Sequence, residues 1–112
     1  EQAISDAAAA GAGTIIRGGV ARGLPEPSPN LPDQYRAAME ARRERFASID
    51  ISDLAGDAPP MEFMLRFTIS HPDLHTTIVG TSNAEHLAAN VAAASKGPLP
   101  ADVYAAAKAR FA

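Results

Sequence analysis

The sequence predicts an α/β fold in which two short parallel strands with surrounding helices form two consecutive β/α units. Two observations lead there. Thr14-Ile15-Ile16 and Thr76-Thr77-Ile78-Val79 are short β-branched runs without apolar/polar alternation, the pattern of strands buried on both faces of a parallel sheet. Each run leaves through glycine, Gly18-Gly19 after the first and Gly80 after the second, and helical segments lie before and after both.

Taken in order, residues 2–10 are strong helix formers and stop at Gly11, suited to the left-handed turn that closes a helix. The first strand follows. Residues 24–32 carry Pro25, Pro27, Pro29 and Pro32 and read as a surface loop. Residues 33–46 are polar and helix-favouring, with Tyr35, Met39 and Phe46 as their few large apolar side chains, so this helix belongs on the surface of something larger. Residues 50–60 read as another loop. Pro60 opens a helix whose Met61, Met64, Leu65, Phe67, Thr68 and Ile69 make a broad apolar stripe, stopping near Ser70 before His71-Pro72. After the second strand, Ser82-Asn83-Ala84-Glu85 has the form of a capping box, with Ser82 as the N-cap of a helix running to Lys96. Gly97-Pro98 ends it, and residues 100–111 form a last helix. Two parallel strands alone do not make a stable sheet.

Composition narrows the function classes. A chain of 112 residues is the size of one domain, able to bury roughly two thirds of its unfolded surface. Ten basic and thirteen acidic residues leave a net charge of −3, with no basic stretch to track a phosphate backbone, so no nucleic-acid partner is expected. The absence of cysteine excludes disulfides, thiolate catalysis and Cys-based zinc sites, and is compatible with a cytoplasmic location. No apolar run approaches a membrane span, and Glu1 and Asp6 stand where a signal peptide would be cationic. Because the chain starts at Glu1 and not at methionine, it is expected to be a processed product or a piece of something longer.

Gly11-Ala12-Gly13 invites a dinucleotide fingerprint, but those glycines precede the strand and lack the third, so a turn explains them better. The run from Arg17 through Gly18, Gly19, Val20 and Ala21 to Gly23 leaves the strand at its C-terminal end, where α/β folds bind ligands and where glycines let backbone amides approach a phosphate. A flexible exit loop is the plainer reading. Gly80, Thr81, Ser82 and Asn83 have the same placement, with the next helix's dipole and free N–H groups added; an ordinary cap competes there. Two such exits in consecutive units match the phosphate site that the last two strand loops of a (β/α)8 barrel build. His71, His75 and His86 lack the spacing of a helical metal motif and suit surface or cap roles. Tyr35 and Tyr104 have no neighbour that marks them as catalytic, and Arg36, Arg42, Arg43 and Arg45, interleaved with Glu40 and Glu44, read as a solvated helix face.

Residues 12–23 resemble the seventh-strand segment of aldo/keto reductases. Leu65-Arg66-Phe67, Ser70-His71-Pro72 and the run from Thr77 to Asn90 resemble that family's last helix, strand and helix, and Gly97-Pro98-Leu99-Pro100 the turn that often follows. The resemblance implies the C-terminal portion of a (β/α)8 TIM barrel that binds NADP(H) without a Rossmann domain, forming one partial domain over residues 1–112. By position, Arg17 stands where an aromatic often stacks on the nicotinamide, and Gly18, Gly19, Val20 and Ala21 follow the pyrophosphate. Thr81, Ser82 and His86 fall where the 2′-phosphate is held, and Asn90 where the adenine is hydrogen-bonded. Three positions depart from the family: Gly80 replaces a basic residue, His86 an arginine or glutamine, and Ala89 a glutamate. They leave NAD(H) beside NADP(H) as the expected cofactor.

The family's chemistry is hydride transfer to a small carbonyl substrate, with a tyrosine acid tuned by lysine, aspartate and histidine earlier in its sequence. That tetrad is absent from these residues, so the expectation is a cofactor-binding portion that is inactive alone. The alternative is a non-enzymatic β/α module that self-associates, or completes another chain, through exposed strand edges.

Overall fold

The computed structural model describes residues 2–17 and 30–112. Eight elements follow in chain order: α1 (Gln2–Ala9), β1 (Ile15–Arg17), α2 (Asp33–Ala47), α3 (Ser52–Ala55), α4 (Pro60–Ile69), β2 (Thr76–Ile78), α5 (Ala84–Ser95) and α6 (Ala101–Phe111). The strands pair in parallel, Ile15 with Thr76, Ile16 with Thr77 and Arg17 with Ile78. The molecule is thus α/β with two short parallel strands, as the β-branched runs predict.

Helix ends follow the local chemistry. Gly11 and Gly97 take φ of +80° and +74°, the left-handed turns that close α1 and α5. Pro60 is the first residue of α4, where its missing N–H costs nothing. Residues 50–60 depart from the predicted loop, because a single turn, α3, forms inside them. The Asp50 carboxylate accepts from the Ser52 amide at 2.9 Å and hydroxyl at 2.7 Å, and Arg110 of α6 donates to the Asp50 carbonyl at 2.8 Å. A side chain 60 residues away completes a turn too short to show periodicity.

Two small clusters make the core. Phe63, Leu99 and Ala107 are buried where α4 meets α6, with Leu54, Phe67, Tyr104 and Phe111 against them. The Phe67 ring lies 5.3 Å from Tyr104 and 5.1 Å, edge-on, from Phe111. Leu65 and Ala93 are buried where α4 meets α5, with Met64, Ile69 and Val79 beside them. Alanine at position 93 lets α4 and α5 approach closely. Arg66 spans the α4–α5 junction, donating to the carbonyls of Gly97 and Pro98 at 3.0 Å each, while Lys96 reaches Glu62 at 2.7 Å.

The strands are not buried on both faces. Val79, in phase with Thr77 and Ile16, packs into the Leu65–Ala93 cluster, and Ile16 and Thr77 are half-buried. The opposite face carries Ile15, Arg17, Thr76 and Ile78, with Ile15 64% and Ile78 54% exposed. Successive strand residues point to opposite sides, and the described helices cover one of them.

Below the sheet, Thr14 is the one buried polar residue among those described. Its amide donates to His75 Nδ1 at 3.0 Å, its hydroxyl accepts from the His75 amide at 3.0 Å, and its carbonyl accepts from the Thr76 amide at 3.2 Å. Its hydroxyl donates to the Asp73 carbonyl. The Asp73 carboxylate in turn accepts from Ser5 of α1 at 2.6 Å. These bonds fix the strand register immediately ahead of the first ladder pair, Ile15 with Thr76.

Candidate functional site

The parallel register brings both strand exits to one end of the sheet. Arg17, the last residue of β1, lies opposite Ile78, and Val79-Gly80 leads on into the loop before α5. The proposed loop residues Gly18, Gly19, Val20 and Ala21 lie outside the described residues, as does most of the proline-rich segment 24–32.

In the second exit the cap is Asn83 and not Ser82. Asn83 has extended backbone angles (φ −99°, ψ 120°), and its side-chain oxygen accepts from the amides of Glu85 at 2.8 Å and His86 at 3.3 Å. Thr81 sets it up, accepting the Asn83 amide on its hydroxyl at 3.1 Å. Asparagine caps a helix as well as serine does, and the Thr81 turn places residue 83, not 82, at the helix entry. The Ser82–Glu85 capping box is therefore absent, and the Ser82 hydroxyl, exposed, has no hydrogen-bond partner among the described residues.

This arrangement bears on what the loop can hold. Two of the first-turn amides of α5 are already satisfied by Asn83, so an anion there would rely on the Ser82 hydroxyl, remaining backbone donors and the His86 ring. The described residues leave space there, because among them nothing lies within 4 Å of a Cβ added at Gly80. His86 and Asn90 are one helical turn apart on α5, His86 exposed and Asn90 half-buried, and so line one face leading away from the loop. Glu85 adds a carboxylate beside the same turn, which works against a phosphate.

The other sequence candidates lie elsewhere. His71 Nδ1 accepts from the Asp73 amide at 3.2 Å, and His75 serves the Thr14 lock at the opposite end of the sheet. Among the described residues no group of three or more His, Asp or Glu is placed to hold a metal. Tyr104 packs on Phe67, and Tyr35 is exposed on α2, where Arg36 pairs with Asp33 at 3.9 Å. What sequence reasoning missed was the Thr-x-Asn turn before α5; its signal is asparagine directly ahead of the first helical residue.

The model of the Aldo/keto reductase family matches residues 13–110, nearly the whole chain. The chain belongs to the aldo/keto reductase family. No curated protein and no solved structure matches it at a significant level. Membership gives the chain an oxidoreductase-family origin, and the family generally uses nicotinamide cofactors. The matched span takes in both strands, both exits and the helices α2 to α5. No helix among the described residues is long and apolar enough to cross a membrane.

Proposed function

We infer that this aldo/keto reductase segment is the C-terminal portion of a (β/α)8 barrel, a single partial domain that supplies the grip on a nicotinamide dinucleotide in an enzyme reducing carbonyl compounds. The observation that carries this reading is the parallel pairing of Arg17 with Ile78, which sets two strand exits side by side at the C-terminal end of the sheet, where barrels bind their ligands. The open sheet face, with Ile15 and Ile78 exposed, suits the apolar interior that a closed parallel barrel would place against it.

In this reading Arg17, Gly18, Gly19, Val20 and Ala21 serve the nicotinamide and pyrophosphate side. Gly80, Thr81, Ser82, Asn83, His86 and Asn90 serve the adenosine side, with Thr81 and Asn83 also shaping the loop, since the Thr81 hydroxyl oxygen and the Asn83 side-chain carbonyl accept from backbone amides within it. NADP(H) is the preferred cofactor; the missing basic residue at Gly80 and the carboxylate of Glu85 keep NAD(H) as its competitor. A bound nicotinamide supplies hydride, and the proton donor comes from residues outside these 112. The segment by itself therefore turns over no carbonyl.

NADPH and NADH titrations followed by fluorescence, run beside size-exclusion chromatography, test the reading. Saturable binding that is lost on Ser82→Ala with His86→Ala supports it. A tight dimer that binds neither nucleotide overturns it in favour of the second reading, a self-associating β/α module, which the exposed Ile15 and Ile78 favour.

A further inference from the structure

We propose that His75 is a positioning residue for the dinucleotide grip: from the far end of the sheet it holds the two strand exits level with one another. This role rests on the barrel reading above and goes beyond it, giving a part in cofactor binding to a side chain outside both loops. His75 stands directly before β2 and Thr14 directly before β1, and the Thr14 amide donates to His75 Nδ1 at 3.0 Å. A backbone N–H can only donate, so the imidazole is engaged here as an acceptor at Nδ1. The Thr14 hydroxyl answers by accepting the His75 amide, also at 3.0 Å. Thr14 is 7% exposed, so an amide that lost its imidazole partner would have little access to water in exchange.

The ladder alone specifies the register weakly, because it has three pairs and the helices discriminate only half of the alternatives. A slip of one residue turns Val79 out of the Leu65–Ala93 cluster, and that packing opposes it. A slip of two restores the same alternation of faces, so packing opposes it far less. What a two-residue slip breaks is the Thr14–His75 pair, together with the bond from the Thr77 hydroxyl to the Ile16 carbonyl at 3.2 Å. It would also move the second exit along the sheet by roughly 6–7 Å relative to Arg17. The two loops would then no longer lie level to hold one dinucleotide, and the apparent affinity falls with the fraction of molecules in which they do.

The test titrates the complete enzyme that contains this segment with NADPH and with NADH by fluorescence, beside its thermal unfolding. His75→Leu keeps a similar bulk without an acceptor and should raise Kd about tenfold, the equilibrium equivalent of one lost hydrogen bond. His75→Asn, whose Oδ1 stands at the place of Nδ1 and accepts as it does, should return Kd to within about twofold of the wild type. Thr14→Val removes the hydroxyl half of the pair and should weaken binding as His75→Leu does, which keeps the question open to measurement if the Leu variant does not fold. A merely structural role gives another pattern, lower melting temperatures with Kd unchanged. That pattern, an Asn variant as weak as the Leu variant, or failure of both His75→Leu and Thr14→Val to fold would overturn the proposal while leaving the dinucleotide reading intact. A wild type that binds neither nucleotide overturns that reading, and the proposal with it.

Discussion

Neighbouring residues in the loop before α5 have separable jobs. Asn83 ends its side chain on two backbone amides, so Asn83→Ala should cost roughly 1 kcal/mol of stability, the usual loss of an N-cap. Ser82 has no such duty, and Ser82→Ala should leave the denaturation midpoint unchanged while weakening nucleotide binding. Urea unfolding and NADPH titration of the two variants, run in parallel, check the division: a Ser82→Ala that destabilises as much as Asn83→Ala removes it. At the other junction, hydrogen bonds from Arg110 hold the Asp53 carboxyl below its ordinary value of 3.8, and Ser52 does the same for Asp50. A carboxyl lowered in the folded state contributes stability above its unfolded value, and that contribution drains as pH falls through 3.8 and then through the folded value. Asp53→Asn should therefore lower the melting temperature at pH 7, by an amount that shrinks as the pH is taken below 3.8. A penalty that does not change with pH would assign Asp53 no ionic role.

Among elements, α4 is the one that the rest depend on, because its two faces hold both clusters: Phe63 toward α6 and Leu65 toward α5. Phe63 is 1% exposed, and Phe63→Ala should cost about 3–5 kcal/mol, a large share of the 5–15 kcal/mol that holds a typical domain. Chemical denaturation checks this, and a loss below about 1 kcal/mol would mean that α6 is not anchored through Phe63. The importance of α4 was legible in the sequence, since Pro60 marks its start, its apolar stripe is broad, and His71-Pro72 forces its end. The strands were legible too, as β-branched runs closed by glycine. Three features were not. The α3 turn depends on Arg110 from the far end of the chain, the choice of Asn83 over Ser82 depends on how Thr81 bends the loop, and the burial of Thr14 depends on Asp73 and His75. Each is fixed by a contact across a turn or across the fold, and neither periodicity nor propensity records such contacts. The expectation of strands buried on both faces failed for a related reason: hydrophobic composition reports the surroundings a strand suits, while the described helices cover one side.

For the whole molecule, the uncovered sheet face decides behaviour in solution. Ile15 and Ile78 stand open beside two strand edges that are unpaired among the described residues, an arrangement that soluble proteins cover or pair. The 112 residues alone should therefore associate as concentration rises, whereas on the barrel reading proposed above their union with the rest of such a barrel should give a monodisperse species that binds NADPH. Light scattering across a concentration series distinguishes the two; a segment that stays monomeric throughout would show the open face to be tolerated by itself. The lock under the sheet has a different consequence, one for changes in chain length. Thr14 grips His75 and Thr76 through backbone and hydroxyl at once, so adding or deleting one residue between Ser70 and His75 would either break that grip or slide β2 by one position. A slide by one exchanges the two faces, turning Ile78 into the helices and Val79 away from them. Insertions and deletions should consequently be rare in the short connection below the sheet.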